Sequence, residues 1–245
     1  MIELKNLTKK YVDFVAVDNL NLLVPKGEIF GFLGPNGAGK TTTIKMMGGI
    51  NAPTSGSIII CGINMETDPE AAKNKIGFIP DRPYLYEKLT GMEFLKFTAD
   101  LYGLEEDGFQ HKAEDLLKTF SLFDWSDELI EAYSHGMKQR LVMSAALIHD
   151  PEVIIVDEPM VGLDPVAIKM VKNLFKRLAA EGVTIFMSTH TLKVAEEICH
   201  RIGIIHKGSL IETGTPEDLM RKANTSERDL EEVFIRLTEE EASAN

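Results

Sequence analysis

The stretch Gly34–Thr41, which reads Gly-Pro-Asn-Gly-Ala-Gly-Lys-Thr, limits the possible folds of this chain more than any other feature. It fits the spacing G-x-x-x-x-G-K-[ST]. The apolar run 29–33 before it predicts a buried strand, and residues 42–47 after it predict a helix. Glycines let the backbone curl so that successive N–H groups face one anion, and the helix N-terminus adds further donors. The sequence therefore predicts a strand, a phosphate-binding loop and a helix, in that order.

The side chains of this loop suit a bound nucleoside triphosphate. We expect Lys40 to place its charge on the β and γ phosphates, Thr41 to ligate Mg²⁺ and Thr42 to add a phosphate contact. The other nucleotide-binding residues expected in the loop are Asn36, Gly37, Ala38 and Gly39. The alternative is a glycine-rich turn without a ligand, but a Lys-Thr pair has no structural reason to occupy such a turn.

Composition restricts the classes of partner. The chain has 245 residues, 44% of them hydrophobic and 26% charged, as in ordinary globular proteins. Its net charge of −12 repels phosphate backbones, so we expect no nucleic-acid partner. Cys61 and Cys199 are too few for a disulfide framework, and we expect buried, reduced thiols. No signal peptide is recognisable and no apolar run approaches the roughly 20 residues that span a bilayer, so a membrane role would require a partner protein.

The order of predicted elements indicates an α/β domain. Strands alternate with helices, which favours a mostly parallel sheet, whereas residues 1–24 alternate like antiparallel strands. Residues 85–150 show helix-spaced apolar positions and predict an inserted helical subdomain. The expected division is one domain over 1–225, with a core and antiparallel sheet in 1–84 and 151–225, and a short acidic helix or tail at 226–245.

Two acidic residues follow a predicted strand of four apolar residues, 153–156. Asp157 is placed to hold Mg²⁺ beside the phosphate loop, and Glu158 to polarise a water for attack on the γ phosphorus. Two acids after a strand could equally begin an ordinary loop, and only their pairing with Lys40 and Thr41 favours catalysis. His190 ends the next predicted strand, where an imidazole could contact the γ phosphate and orient the water.

A third segment, Tyr-Ser-His-Gly-Met at 133–137, precedes an apolar helix. With it the chain resembles the nucleotide-binding subunits of ATP-binding cassette (ABC) transporters over roughly residues 1–220. The motifs that match in the family's order are the phosphate loop, a switch loop near Asp81, the signature segment 133–137, Asp157–Glu158, the dimer-contact loop 162–164 and His190. Six ordered matches are far more specific than one, and the signature looks most like that of bacterial ABC-2-type exporters.

The resemblance implies an α/β fold: a P-loop NTPase core with a mostly parallel sheet, an N-terminal antiparallel β-subdomain and an inserted α-helical subdomain. It implies that Tyr11 stacks on adenine, with half-buried packing as the alternative. Ser134 and the backbone around Gly136 would contact the γ phosphate bound by the opposite subunit. Asp81 would reach Mg²⁺ through water, and its alternative role is that of a turn residue.

The chain departs from the family pattern in the signature and in the switch loop. His135 replaces the usual first glycine, and Met137 and Asp81 each replace a glutamine. Ser134 and Gly136 preserve the expected hydrogen-bond donors, whereas a contact from the glutamine side chain is lost.

The resemblance also implies a function and partners. We expect Mg²⁺-dependent ATP hydrolysis that powers transport, with export as the direction, through a separate transmembrane permease subunit. The chain would pair head to tail as a homodimer, or with another nucleotide-binding subunit, on the cytoplasmic face of the membrane. One alternative is a non-transport ABC ATPase, disfavoured by the single cassette and the short helical insert. The other is a nucleotide-gated regulatory module with low turnover, which the altered signature leaves open.

Overall fold

The computed structural model describes residues 1–82, 84–222 and 234, and its elements form two sheets with surrounding helices. The strands are β1 (Ile2–Tyr11), β2 (Phe14–Val24), β3 (Ile29–Leu33), β4 (Ser55–Ile60), β5 (Ile63–Asn64), β6 (Ile76–Ile79), β7 (Val153–Asp157), β8 (Thr184–Thr189), β9 (Arg201–His206) and β10 (Ser209–Gly214). The helices are α1 (Lys40–Met47), α2 (Pro69–Lys73), α3 (Gly91–Leu101), α4 (Glu106–Thr119), α5 (His135–Leu147), α6 (Pro165–Ala180), α7 (Leu192–Ile198) and α8 (Pro216–Lys222). Two short 3₁₀ turns cover Phe123–Trp125 and Ile130–Ala132.

The N-terminal sheet is antiparallel, with strand order β2-β1-β4-β5. The β1–β2 hairpin pairs Ile2 with Val24 at its base and Tyr11 with Phe14 at its tip. Much of the hairpin has one buried and one exposed face, which explains the polar and apolar alternation of residues 1–24. The predicted antiparallel β-subdomain is confirmed.

The second sheet has the order β10-β9-β3-β8-β7-β6 and is mostly parallel, as predicted. Only β10 runs antiparallel, because it returns from β9 through a tight hairpin. Every residue of β3, β7 and β8 is buried, which explains their continuous apolar runs. The carboxyl ends of β3, β7 and β8 lie side by side, and parallel sheets carry their ligand sites at such an edge.

Helices α3, α4 and α5 lie between β6 and β7 and pack on one another through apolar faces. Helix α3 begins with a capping box in which the Thr90 hydroxyl accepts from the Glu93 backbone N–H and the Glu93 carboxylate accepts from the Thr90 N–H. The assignment of 85–150 as a subdomain of the 1–225 domain stays a prediction, and the predicted acidic segment 226–245 lies, except for Phe234, outside the described residues.

The two cysteines are both free thiols, but only one matches the expectation of burial. Cys199 is buried, and its burial raises the pKa of its thiol to about 12. Cys61 is only partly buried, because it lies in the turn between β4 and β5 near the surface; the expectation of a buried Cys61 is therefore wrong. No helix in the described part of the chain is both long and apolar enough to cross a membrane.

Candidate functional site

The phosphate loop joins β3 to α1 by a path that only small residues allow. A Cβ atom on Gly34 would lie 2.4 Å from the carbonyl oxygen of Ile205, and one on Gly39 would lie 2.4 Å from that of Ala16. Gly39 also has a φ of +108°, a conformation that other residues rarely adopt. It is the N-cap of α1, where no side chain caps the helix and no acidic residue lies in the first turn. The loop therefore leaves helix N–H groups available to an anion.

Lys40 lies at the start of α1 with its side chain buried. Its Nζ donates to the carbonyl oxygens of Gly34 at 2.7 Å and Pro35 at 3.1 Å. Burial lowers the pKa of the Lys40 ammonium, and the nearby carboxylates of Glu158 and Asp157 oppose that shift. Lys40 thus places a positive charge inside the curl of the loop.

Thr41 and Asp157, which are far apart in sequence, are in direct contact. The Thr41 hydroxyl donates to Asp157 Oδ2 at 2.9 Å, and the Ser188 hydroxyl donates to Asp157 Oδ1. Asp157 is 3% exposed, and Ser188 is its neighbour across the β7–β8 register. A carboxylate and a hydroxyl are the oxygen ligands that Mg²⁺ prefers. The described residues hold no cluster of three or more His, Cys, Asp or Glu that could bind a metal.

Glu158 and His190 form a second contact beside the first. His190 Nδ1 lies 2.8 Å from Glu158 Oε1; the Glu158 side chain is 17% exposed and the His190 side chain 62%. Glu158 has a φ of +52°, which costs of the order of 1 kcal/mol for a residue with a side chain, and its N–H donates to the Ser188 carbonyl. The turn therefore aims the Glu158 carboxylate at His190 instead of continuing the strand.

Four of the sequence-predicted site residues make no hydrogen bond or ion pair with this cluster in the described part of the chain. Tyr11 is exposed at the tip of the β1–β2 hairpin, with Lys9 Nζ 5.3 Å from its ring centroid. Ser134 is the N-cap of α5 and accepts from the Met137 N–H at 3.3 Å, and Gly136 follows in the first turn. Asp81 is exposed after β6 and makes no hydrogen bond or ion pair within the described residues.

The structure adds residues to which sequence analysis assigned no role. Ser188 belongs to the site because its strand pairs with β7, and a polar residue inside an apolar strand was the only signal. A cavity of about 290 Å³ separates the phosphate loop from His190. Its lining residues are Leu33, Gly34, Pro35, Asn36, Thr189, His190, Leu192 and Phe234.

Comparison with known proteins identifies the family of this chain. Residues 17–161 match the family model described as ABC transporter. The chain is 38% identical over 240 residues to the probable multidrug ABC transporter ATP-binding protein YbhF of Escherichia coli, covering 97% of this chain and 41% of that protein. It is 41% identical over 225 residues to the bacitracin transport ATP-binding protein BcrA of Bacillus licheniformis, covering 91% of this chain and 72% of that protein. The chain thus spans about two fifths of the length of YbhF.

Solved structures agree with this placement. A structure described as the ATP binding subunit of an ABC transporter has a TM-score of 0.92 and 34% identity, covering 97% of this chain and 99% of that one. The dimeric post-hydrolysis state of the ATP-binding cassette MJ0796, bound to ADP and Pi, has a TM-score of 0.78 and 27% identity, covering 88% and 98%. The predicted fold class is confirmed by these likenesses.

Proposed function

The chain belongs to the ATP-binding subunits of the ABC transporter family, and from this premise we propose that it hydrolyses Mg²⁺–ATP to drive export through a separate membrane subunit. The observation that carries the proposal is the contact between Thr41 and Asp157 at 2.9 Å, with Glu158 and His190 paired at the same sheet edge. That edge combines an anion-binding helix start, two oxygen ligands and a carboxylate positioned to accept a proton.

Each residue of the cluster has a proposed part in the reaction. Lys40 exchanges its two carbonyl acceptors for phosphate oxygens, which its charge favours. Thr41 and Asp157 would hold Mg²⁺, which when bound would supply positive charge to neutralise the transferred phosphoryl group. Glu158 orients the attacking water and takes its proton, while His190 fixes the carboxylate through Nδ1. Because Nδ1 donates its proton to Glu158, Nε2 would donate to the γ phosphate only in the form of the ring that carries both protons.

We propose that each ATP site is completed by a second copy of the chain, head to tail, or by a related subunit. Ser134 and the backbone N–H groups near Gly136 lie at the exposed start of α5, and neither residue bonds to the phosphate loop within the described part of its own chain. The dimeric cassette MJ0796 supports this arrangement by likeness. Tyr11 is exposed on the hairpin, and adenine would stack on its ring.

A membrane subunit would contact the surface near the switch loop. Tyr84 is 82% exposed and Tyr86 is 62% exposed, with Tyr86 packed edge-on against Phe97 at 5.4 Å between centroids. Exposed aromatic groups of this kind are typical of interfaces. Together with Leu89, which is partly buried against the core, they are our candidate contacts for a segment of the permease, which would hold the chain at the cytoplasmic face of the membrane. Asp81 precedes this surface and would link it to the metal through water.

Steady-state phosphate release by the purified chain tests the ATPase proposal, with Glu158→Gln as the decisive variant. Removing the proton acceptor should lower kcat by at least about a hundredfold while ATP binding persists, and should trap an ATP-bound dimer seen by gel filtration. Glu152→Gln, an exposed carboxylate paired with Lys75, is the matched control and should keep wild-type turnover. Normal turnover in Glu158→Gln would contradict its proposed role, and ATP binding without turnover in the wild type would favour the regulatory alternative.

Charged replacements of Tyr84 and Tyr86 test the permease surface. The double change to Asp should abolish transport in membranes that contain the permease and leave the ATPase activity of the purified chain within about twofold, because both rings are exposed. The control is Phe123→Asp, an aromatic exposed elsewhere on the helical segment. Loss of ATP binding in the tyrosine variant would contradict this assignment.

A further inference from the structure

His135, which replaces the usual first glycine of the signature segment, lies against Gly162. A Cβ atom built on Gly162 would lie 2.3 Å from His135 Cδ2 and 2.6 Å from its Nε2, so the imidazole edge fills the space where a side chain would be. Gly162 has a φ of +78°, and a Cβ on Gly136 would lie 3.3 Å from the Gly162 carbonyl oxygen. The start of α5 is therefore packed directly on the backbone of the loop that follows β7.

That loop connects His135 to the catalytic carboxylate in a few residues. The Val161 N–H donates to the Glu158 carbonyl at 3.2 Å, and the Leu163 N–H donates to the Met160 carbonyl at 3.4 Å. Two successive turns with Met160 buried leave little freedom between Gly162 and Glu158. The path from Gly162 to Glu158 is therefore short and held by backbone hydrogen bonds.

We propose that His135 is a positioning residue that clamps Gly162 to the start of α5 and so makes Ser134 and Glu158 of one chain move as a unit. The inference rests on the function proposed above, in which Ser134 serves the partner's ATP while Glu158 serves the ATP of its own chain. The clamp would then link the two ATP sites of a dimer through each chain. A glycine at position 135 would leave this contact unmade.

The contact between His135 and Gly162 is tested first, by thermal unfolding without nucleotide. Gly162→Ala should lower Tm more than Gly103→Ala, because Gly103 has a similar φ of +68° and open space around its Cβ. In a protein that already carries His135→Ala, Gly162→Ala should lower Tm no more than Gly103→Ala does, because the imidazole no longer occupies the space of the new Cβ. If the changes in Tm caused by His135→Ala and Gly162→Ala simply add in the double variant, the proposal is overturned, whatever the ATPase activity is.

The positioning role is tested by kcat and KM for ATP. His135→Ala should lower kcat on the order of tenfold and keep KM within about twofold, because Glu158 is misplaced and the phosphate loop is untouched. The double variant His135→Ala/Gly162→Ala should lose no more of the wild-type kcat than the worse of the two single variants does. His135→Phe keeps a planar ring against Gly162 and should retain most of the wild-type kcat. The control is His111→Ala, a histidine with an 85% exposed side chain on α4.

Three results would overturn the proposal. They are an unchanged kcat in His135→Ala, independent additive losses in the double variant, and a loss in His135→Phe as large as that in His135→Ala. The last would show that the ring nitrogens act directly, as donors to the partner's phosphate. A wild-type chain that hydrolyses no ATP would contradict the proposed function instead, so the two failures are distinguishable.

Discussion

Acidification should destabilise this protein through one partly buried histidine, His149, which lies just after α5. Its ring stacks on Tyr102 with centroids 3.6 Å apart and an interplanar angle of 4°, and its Nε2 lies 3.0 Å from the Ile76 carbonyl oxygen. Its Nδ1 is buried and has no hydrogen-bond partner among the described residues. Burial lowers the pKa of His149 from 6.5 to about 4, with the Lys112 charge adding to the effect and the Ile76 bond opposing it. Protonation would therefore place an unpaired N–H in the stack.

The direction and size of this effect on the free energy of unfolding follow from the difference between the His149 pKa in the folded and unfolded states. Well above pH 6.5 the imidazole is neutral in both the folded and unfolded states, so this group contributes no pH dependence there. As the pH falls from 6.5 to about 4, the unfolded chain binds a proton that the folded chain excludes, and the free energy of unfolding decreases. The full shift corresponds to about 3 kcal/mol, and solvent screening of the partly exposed ring reduces this to about 2 kcal/mol.

Urea unfolding at about pH 7 and about pH 4.5 measures this contribution. His149→Phe keeps a ring on Tyr102 but cannot ionise, so its free energy of unfolding should fall by about 2 kcal/mol less than that of the wild type over this range. His149→Gln repeats the test if Phe does not fit. His111→Phe, on the surface of α4, should follow the wild type. A His149→Phe variant that loses as much stability as the wild type on acidification would refute the reasoning.

Three further predictions concern the site and its support. Gly34→Ala should weaken ATP binding at least about tenfold in equilibrium dialysis and cost about 2 kcal/mol in urea unfolding, because its Cβ would lie 2.4 Å from the Ile205 carbonyl oxygen. The control is Gly108→Ala on α4, where a Cβ would have nothing within 4 Å, and it should change neither quantity appreciably. Asp157→Asn should remove the Mg²⁺-dependent part of the ATP-induced rise in Tm and preserve the part seen in EDTA; an unchanged Mg²⁺ effect would exclude Asp157 as a ligand. Phe186→Ala should lower the free energy of unfolding by about 3–5 kcal/mol, because this fully buried ring packs on two phenylalanine rings of β3 at 5.6 and 5.2 Å.

The site unites residues that sequence analysis selected for separate reasons. Lys40 and Thr41 come from one motif, whereas Asp157 and Glu158 were chosen as two acids after a strand. The hydrogen bond between Thr41 and Asp157 joins these two choices in space. That residues of these types meet at one sheet edge is stronger support for a shared chemistry than either motif alone.

The sequence by itself determined the local parts of this protein. Apolar runs predicted the buried strands β3, β7 and β8, alternation predicted the N-terminal hairpin, and the Gly34–Thr41 motif predicted the phosphate loop. These features were readable because side-chain periodicity reports local conformation and which face is buried.

The tertiary structure alone decided which distant residues meet. Ser188 reaches Asp157 because β8 lies between β3 and β7, an order that the chain sequence does not reveal. The left-handed turn at Glu158 and the packing of His135 on Gly162 likewise depend on how α5 and the β7 loop are brought together. Contacts of this kind arise from strand order and packing between elements, and no local pattern in the sequence encodes them.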